Sequence, residues 1–140
     1  MTRLSREEAK ALFRAKPDRA EERIHIAVVE YLRFAAPGLV WFHVPNGGRR
    51  DPGEAAKLKQ MGVRAGVPDL VFVLPDGRSA FVELKSDAGT LEPEQAAFFD
   101  AIPVEVPRAV CRSIDDVERA LLSWGVTLKA RAGSRHRRAA

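Results

Sequence analysis

PDLVFVLPDGRSAFVELK, Pro68 to Lys85, holds two short runs of branched and aromatic residues around Pro75-Asp76-Gly77. Such runs around a turn tripeptide read as a β-hairpin. Pro-Asp-Gly favours a three-residue loop, a type I turn closed by glycine in the left-handed conformation, so Leu74 should pair with Arg78. Counting back along both strands puts Asp69 opposite Glu83, with side chains on one face and Cβ atoms about 5 Å apart. Lys85 lies two residues beyond Glu83 and shares that face. The other face carries Leu70, Phe72, Val82 and Leu84, an apolar set expected to be buried.

Two carboxylates set opposite each other repel unless a cation or a shared proton relieves them. Mg2+ or Mn2+ fits between them, because these hard ions take oxygen ligands and often need only one or two protein carboxylates. A lysine beside such an ion can orient or deprotonate a water and stabilise developing charge. Phosphodiester hydrolysis needs that combination. A plain alternative remains for a bare Glu-x-Lys: two ordinary surface residues on an amphipathic strand. Against it stand the Pro-Asp that begins the first strand, the hairpin register and the apolar opposite face.

Outward from the hairpin, helices are expected over residues 6–15 and 19–36. In the second, Ile24, Val28, Tyr31, Leu32 and Ala35 recur at helical spacing and Pro37-Gly38 ends the pattern. A strand over 39–44, a short helix over 53–61 and the hairpin strands at 70–74 and 78–84 follow. Pro93 occupies a first-turn position for the helix EQAAFFDA, AVCR at 109–112 reads as a short buried strand, and Ser113 caps a last helix that Gly125 stops. This order gives an α/β fold, a mixed sheet flanked by helices.

The 140 residues suffice for one core, and no apolar run nears the roughly 20 residues of a membrane-spanning helix. Without a signal-peptide core, the protein is expected in the cytoplasm, of a bacterium or of a phage-infected host. One cysteine, Cys111, excludes an internal disulfide framework and reads as an inert buried thiol. The three histidines, 25, 43 and 136, are scattered, which argues against zinc and for a metal held by oxygen alone. A net charge of +4 suggests a polyanionic partner, but Lys129, Arg131, Arg135, Arg137 and Arg138 crowd the last twelve residues without an acid. Basicity is therefore mostly a property of the tail, which reads as a solvated, disordered end or, alternatively, as a segment that adds sequence-independent attraction to phosphates. Tyr31, Trp41 and Trp124 read as core or core-edge residues rather than base-stacking platforms.

GVPDL at 66–70 followed by VELK at 82–85 resembles the Pro-Asp…(Asp/Glu)-x-Lys signature of many restriction and repair nucleases. HVPNGGRR at 43–50, KLKQMGVRAGVPDL at 57–70 and LEPEQAAFF at 91–99 are similar, in order, to the VRR-NUC (virus-type replication-repair nuclease) family. The resemblance runs from about Glu21 to Leu122. It implies a restriction-endonuclease-like core, a metal bound by Asp69, Glu83 and the backbone carbonyl of Leu84, and Lys85 as catalytic lysine. It also implies an acid on the first core helix, which Glu21 or Glu22 could supply. Glu21 matches better, since His25 stands four residues on, where relatives often carry glutamine. Gln95 matches a family glutamine that orients the site or touches substrate.

Asn46-Gly47 is a strong turn dipeptide, so HVPNGGRR taken alone is a loop with solvated arginines. Under the resemblance the loop borders the site: His43 and Asn46 contact substrate or a metal-bound water, and Arg49 and Arg50 contact phosphates. Lys57, Lys59 and Arg64 are further phosphate contacts, as nothing resembles a recognition helix. The expectation is thus a Mg2+- or Mn2+-dependent endonuclease cutting DNA at junctions, flaps or branches, monomeric or as a homodimer. The competing expectation is a binding or accessory subunit of the same fold without turnover. The nuclease domain is placed at 19–126, between a helical extension at 1–18 and a basic tail at 127–140.

Overall fold

The computed structural model describes residues 19–45 and 51–129. The helix expected over 6–15, the loop residues Asn46, Arg49 and Arg50, and the tail beyond Lys129 lie outside the described residues. Eight elements follow one another: α1 (Arg19–Ala35), β1 (Val40–His43), α2 (Pro52–Gln60), β2 (Leu70–Val73), β3 (Ser79–Leu84), α3 (Pro93–Ala101), β4 (Arg108–Cys111) and α4 (Ile114–Ser123). The strands form one mixed sheet in the order β1-β2-β3-β4, antiparallel except for the parallel pair β3 and β4. That parallel step needs a crossover, and α3 supplies it. The α/β fold with a mixed sheet flanked by helices is the one expected.

The hairpin register is also as expected: Leu70 pairs with Val82, Phe72 with Ala80 and Val73 with Ser79. At the turn the Leu74 N–H donates to the Arg78 carbonyl, the Gly77 N–H donates to the Leu74 carbonyl, and Gly77 takes a φ of 90°. Alternation then fixes the layers. Leu70, Phe72, Leu74, Ala80, Val82 and Leu84 face α1 and α4, which contribute Val28, Tyr31, Leu32, Ala35, Val117 and Leu121 to the same core. Phe72, Leu32 and Leu70 are fully buried. On the other face α3 lays Phe98 edge-on against Phe81, centroids 5.1 Å apart.

Local chemistry explains the element ends. Ser113 accepts the Asp116 N–H and caps α4, and beyond it the Val126 N–H returns to the Leu121 carbonyl around Gly125. Asp51 caps α2, with Pro52 in its first turn, although no residue of α2 is buried. One strand departs from expectation. β4 lies at the sheet edge, and of its residues only Cys111 is buried, because a strand with one neighbour leaves the rest of its surface uncovered. Among the described residues no helix is long and apolar enough to cross a membrane.

Candidate active site

Asp69 enters β2, and its side chain reaches across the hairpin. Its Oδ2 accepts the Leu84 N–H at 2.8 Å, while its own N–H donates to Glu83 Oε2 at 3.3 Å. The two acids expected to face each other are thus cross-linked through each other's backbone region. Glu21, half-buried on α1, brings a third carboxylate, so that oxygens of Glu21, Asp69 and Glu83 all lie within 4.8 Å of one another. Glu22 is exposed, which favours Glu21 as the helix acid.

Glu83 is only 2% exposed and Lys85 6%, so the surface-residue alternative for Glu-x-Lys fails. Burial, and then the Asp69 carboxylate beside it, pushes the Glu83 carboxyl up to about 8. Lys85 opposes that shift, with Nζ 3.7 Å from Glu83 Oε1. Gln95, in the first turn of α3, donates from Nε2 to the same Oε1 at 2.7 Å and accepts the Glu92 N–H on its Oε1 at 2.8 Å. Its amide is spent at both ends, so it positions Glu83.

Pro68 explains why the motif begins with proline. Leu74 and Arg78 are a hydrogen-bonded pair, such pairs recur every second residue, and the same alternation carried one pair past the last one formed, Leu70 with Val82, would set Pro68 across from Leu84. Proline has no N–H to give the Leu84 carbonyl. The Leu84 N–H, for its part, is taken by Asp69. Two residues before Pro68 the chain is closely fitted too: Gly66 has a φ of 81°, and a Cβ there would stand 2.2 Å from the Glu94 carbonyl oxygen. That approach holds the GVPD loop against the start of α3, the helix that carries Gln95.

His43 ends β1 opposite Leu70, exposed, with Nδ1 at 2.7 Å from the Asp69 carbonyl oxygen. His25 lies one turn beyond Glu21 on α1, and its ring meets that of His43 edge-on at 4.4 Å. Desolvation first, and then the neighbouring His43, lowers the His25 pKa, which keeps its ring neutral. Histidines scattered in the sequence therefore meet beside Asp69, so the expectation that only oxygen donors are on offer is corrected. Lys57 and Lys59 are exposed on α2, and the guanidinium of Arg64 lies 5.3 Å over the Phe98 ring.

Sequence reasoning missed Arg112. Its guanidinium donates to the carbonyls of Ser86 at 2.5 Å and Gly89 at 2.7 Å, fastening the loop that follows Lys85. Only the parallel register of β3 with β4 puts it there, and a crossover register is not encoded in local spacing.

Three carboxylates, a buried lysine and a glutamine thus gather at one end of a mixed four-stranded sheet. The VRR-NUC domain family matches residues 15–115, and the chain belongs to that family. Membership implies a nuclease-type function acting on DNA. Two solved structures share the fold. One, described as a VRR_NUC domain protein, is 23% identical with a TM-score of 0.57, over 75% of this chain and 87% of the other. The second, a VRR_NUC domain, is 23% identical with a TM-score of 0.51, over 74% of this chain and 95% of its own. No curated protein is similar enough to match.

Proposed function

We propose that the chain is a Mg2+- or Mn2+-dependent endonuclease that hydrolyses DNA phosphodiester bonds at branched or junction structures in replication, repair or recombination. The observation that carries this reading is the Glu21, Asp69 and Glu83 cluster with the buried Lys85 ammonium beside it. The residues suit a hard divalent ion: the donors are carboxylate oxygens, and burial, followed by the neighbouring Asp69 carboxylate, pushes Glu83 toward its neutral form. Glu21, Asp69, Glu83 and the Leu84 carbonyl, which Pro68 leaves without a ladder donor, would hold it. When bound, such an ion polarises a phosphate oxygen and makes water more acidic.

The chain's own groups supply the rest. Lys85 holds an ammonium where it can orient the attacking water and offset charge developing on the phosphate. Gln95 fixes the Glu83 carboxylate in one rotamer, and Arg112 fixes the loop after Lys85. His43, Asn46, Arg49, Arg50, Lys57, Lys59 and Arg64 supply substrate contacts, mainly to phosphates, so selection works by DNA shape rather than base sequence. In this reading residues 19–126 are the nuclease domain, 1–18 an N-terminal extension and 127–140 a basic tail, and the protein acts in the cytoplasm.

The test is a panel of end-labelled linear duplex, single strand, flap and four-way junction, incubated with Mg2+, Mn2+ or chelator. Cleavage of a branched substrate with either ion, abolished by chelator, is the expected result. Binding of the panel without cleavage under any condition would replace this reading with that of an accessory DNA-binding subunit.

A further inference from the structure

Asp69 belongs to two clusters. Besides the carboxylates of Glu21 and Glu83, one ligand atom each of His25 and His43 lies within 4.8 Å of an Asp69 carboxylate oxygen and of the other. The fold brings these together from three places: the α1 face one turn past Glu21, the last residue of β1, and the entry to β2. The His43 Nδ1 donates to the Asp69 carbonyl, which leaves the ring's lone pair on Nε2. Ligand histidines are commonly oriented in this way, by giving the other ring nitrogen's proton to a carbonyl.

We propose that His25, His43 and Asp69 form a second cation site, adjoining the acidic one through Asp69 and selective for a borderline transition ion such as Co2+, Ni2+, Cu2+ or Zn2+ over Mg2+. Imidazole nitrogen suits these ions, whereas Mg2+ prefers oxygen and retains its waters. Mg2+ therefore fills only the acidic site, and a transition ion fills both. The proposal rests on the nuclease reading only in that the two sites share Asp69. Metal discrimination by this protein is then set by two histidines outside the Pro-Asp…Glu-x-Lys motif.

The test is isothermal titration of the full chain with MgCl2 and with CoCl2, comparing wild type, the His25→Ala/His43→Ala double variant and the Glu21→Gln/Glu83→Gln double variant. Wild type should bind one Mg2+ and two Co2+. The histidine variant should keep its Mg2+ and lose one Co2+, or hold it at least about tenfold more weakly. The acid variant should lose Mg2+ and keep one Co2+. An unchanged Co2+ stoichiometry and affinity in the histidine variant overturns the second site. Mg2+ retained by the acid variant would instead defeat the oxygen site, so the two failures are distinguishable. Electron spin-echo modulation of Cu2+ bound to wild type, which needs no variant to fold, should show imidazole nitrogen coupling that the histidine variant lacks. No such coupling in wild type would also overturn the proposal.

Discussion

Glu83 carries the chemistry of the site in its protonation. Its carboxyl is raised to about 8 in the fold against 4.5 for the free side chain, through burial and the neighbouring Asp69. Between those values the native state holds a proton that the unfolded chain has released. Stability of the metal-free protein should therefore fall as pH rises across that window. We expect Tm to drop by on the order of 5 °C between about pH 5 and pH 8, with the decline reduced in Glu83→Gln and reversed by Mg2+. A wild-type melting curve independent of pH in the absence of metal would contradict it. Pro68 acts on the neighbouring carbonyl. Pro68→Ala would give Leu84 the ladder N–H it lacks, and Mg2+ should then bind about tenfold more weakly in a calorimetric titration; equal affinity would show that the proline serves packing alone.

Elements place these residues, and the sequence showed the elements unequally well. The hairpin was legible to the residue, because Pro75-Asp76-Gly77 admits few turn geometries and the register follows from the turn. Helix ends at Ser113 and Gly125 were legible for the same reason: the capping chemistry is local. Contacts set by the crossover were not. Arg112 against the loop after Lys85 depends on how α3 returns the chain to β4, and Gln95 was legible only through the family resemblance, its contact with Glu83 being set by the same crossover. The meeting of His25 with His43 depends on where α1 crosses the end of β1, and spacing along the chain pointed away from it. At Gly66 the loop that leads into the hairpin closely approaches α3. Gly66→Ala should cost on the order of 3 kcal/mol in chemical denaturation, from the left-handed backbone and the blocked Glu94 carbonyl. A loss under half that would mean that the GVPD loop can lift off α3 at little cost.

At the scale of the molecule, the core layer of α1 and α4 covers one face of the sheet, and α3 covers only part of the other. Val40, Phe42 and Val73 remain 61%, 51% and 43% exposed on that second face, beside the edge strand β1. Apolar side chains clustered beside a sheet edge mark an interaction surface. We propose that this patch joins two copies of the chain into a homodimer, which would set two sites against two DNA strands. Light scattering should give twice the chain mass of 15.5 kDa for wild type and the single mass for Phe42→Lys. A monomeric wild type at working concentration would leave nicking or flap cutting as the geometry of action.

Among these measurements, single-turnover cleavage of a labelled four-way junction with saturating Mg2+ bears most directly on the central claim. Wild type, Asp69→Ala and Lys85→Ala would be compared, with junction binding measured in parallel. Both variants should still bind the junction but cleave it at least about a hundredfold more slowly. Cleavage by Asp69→Ala or Lys85→Ala at the wild-type rate would contradict it.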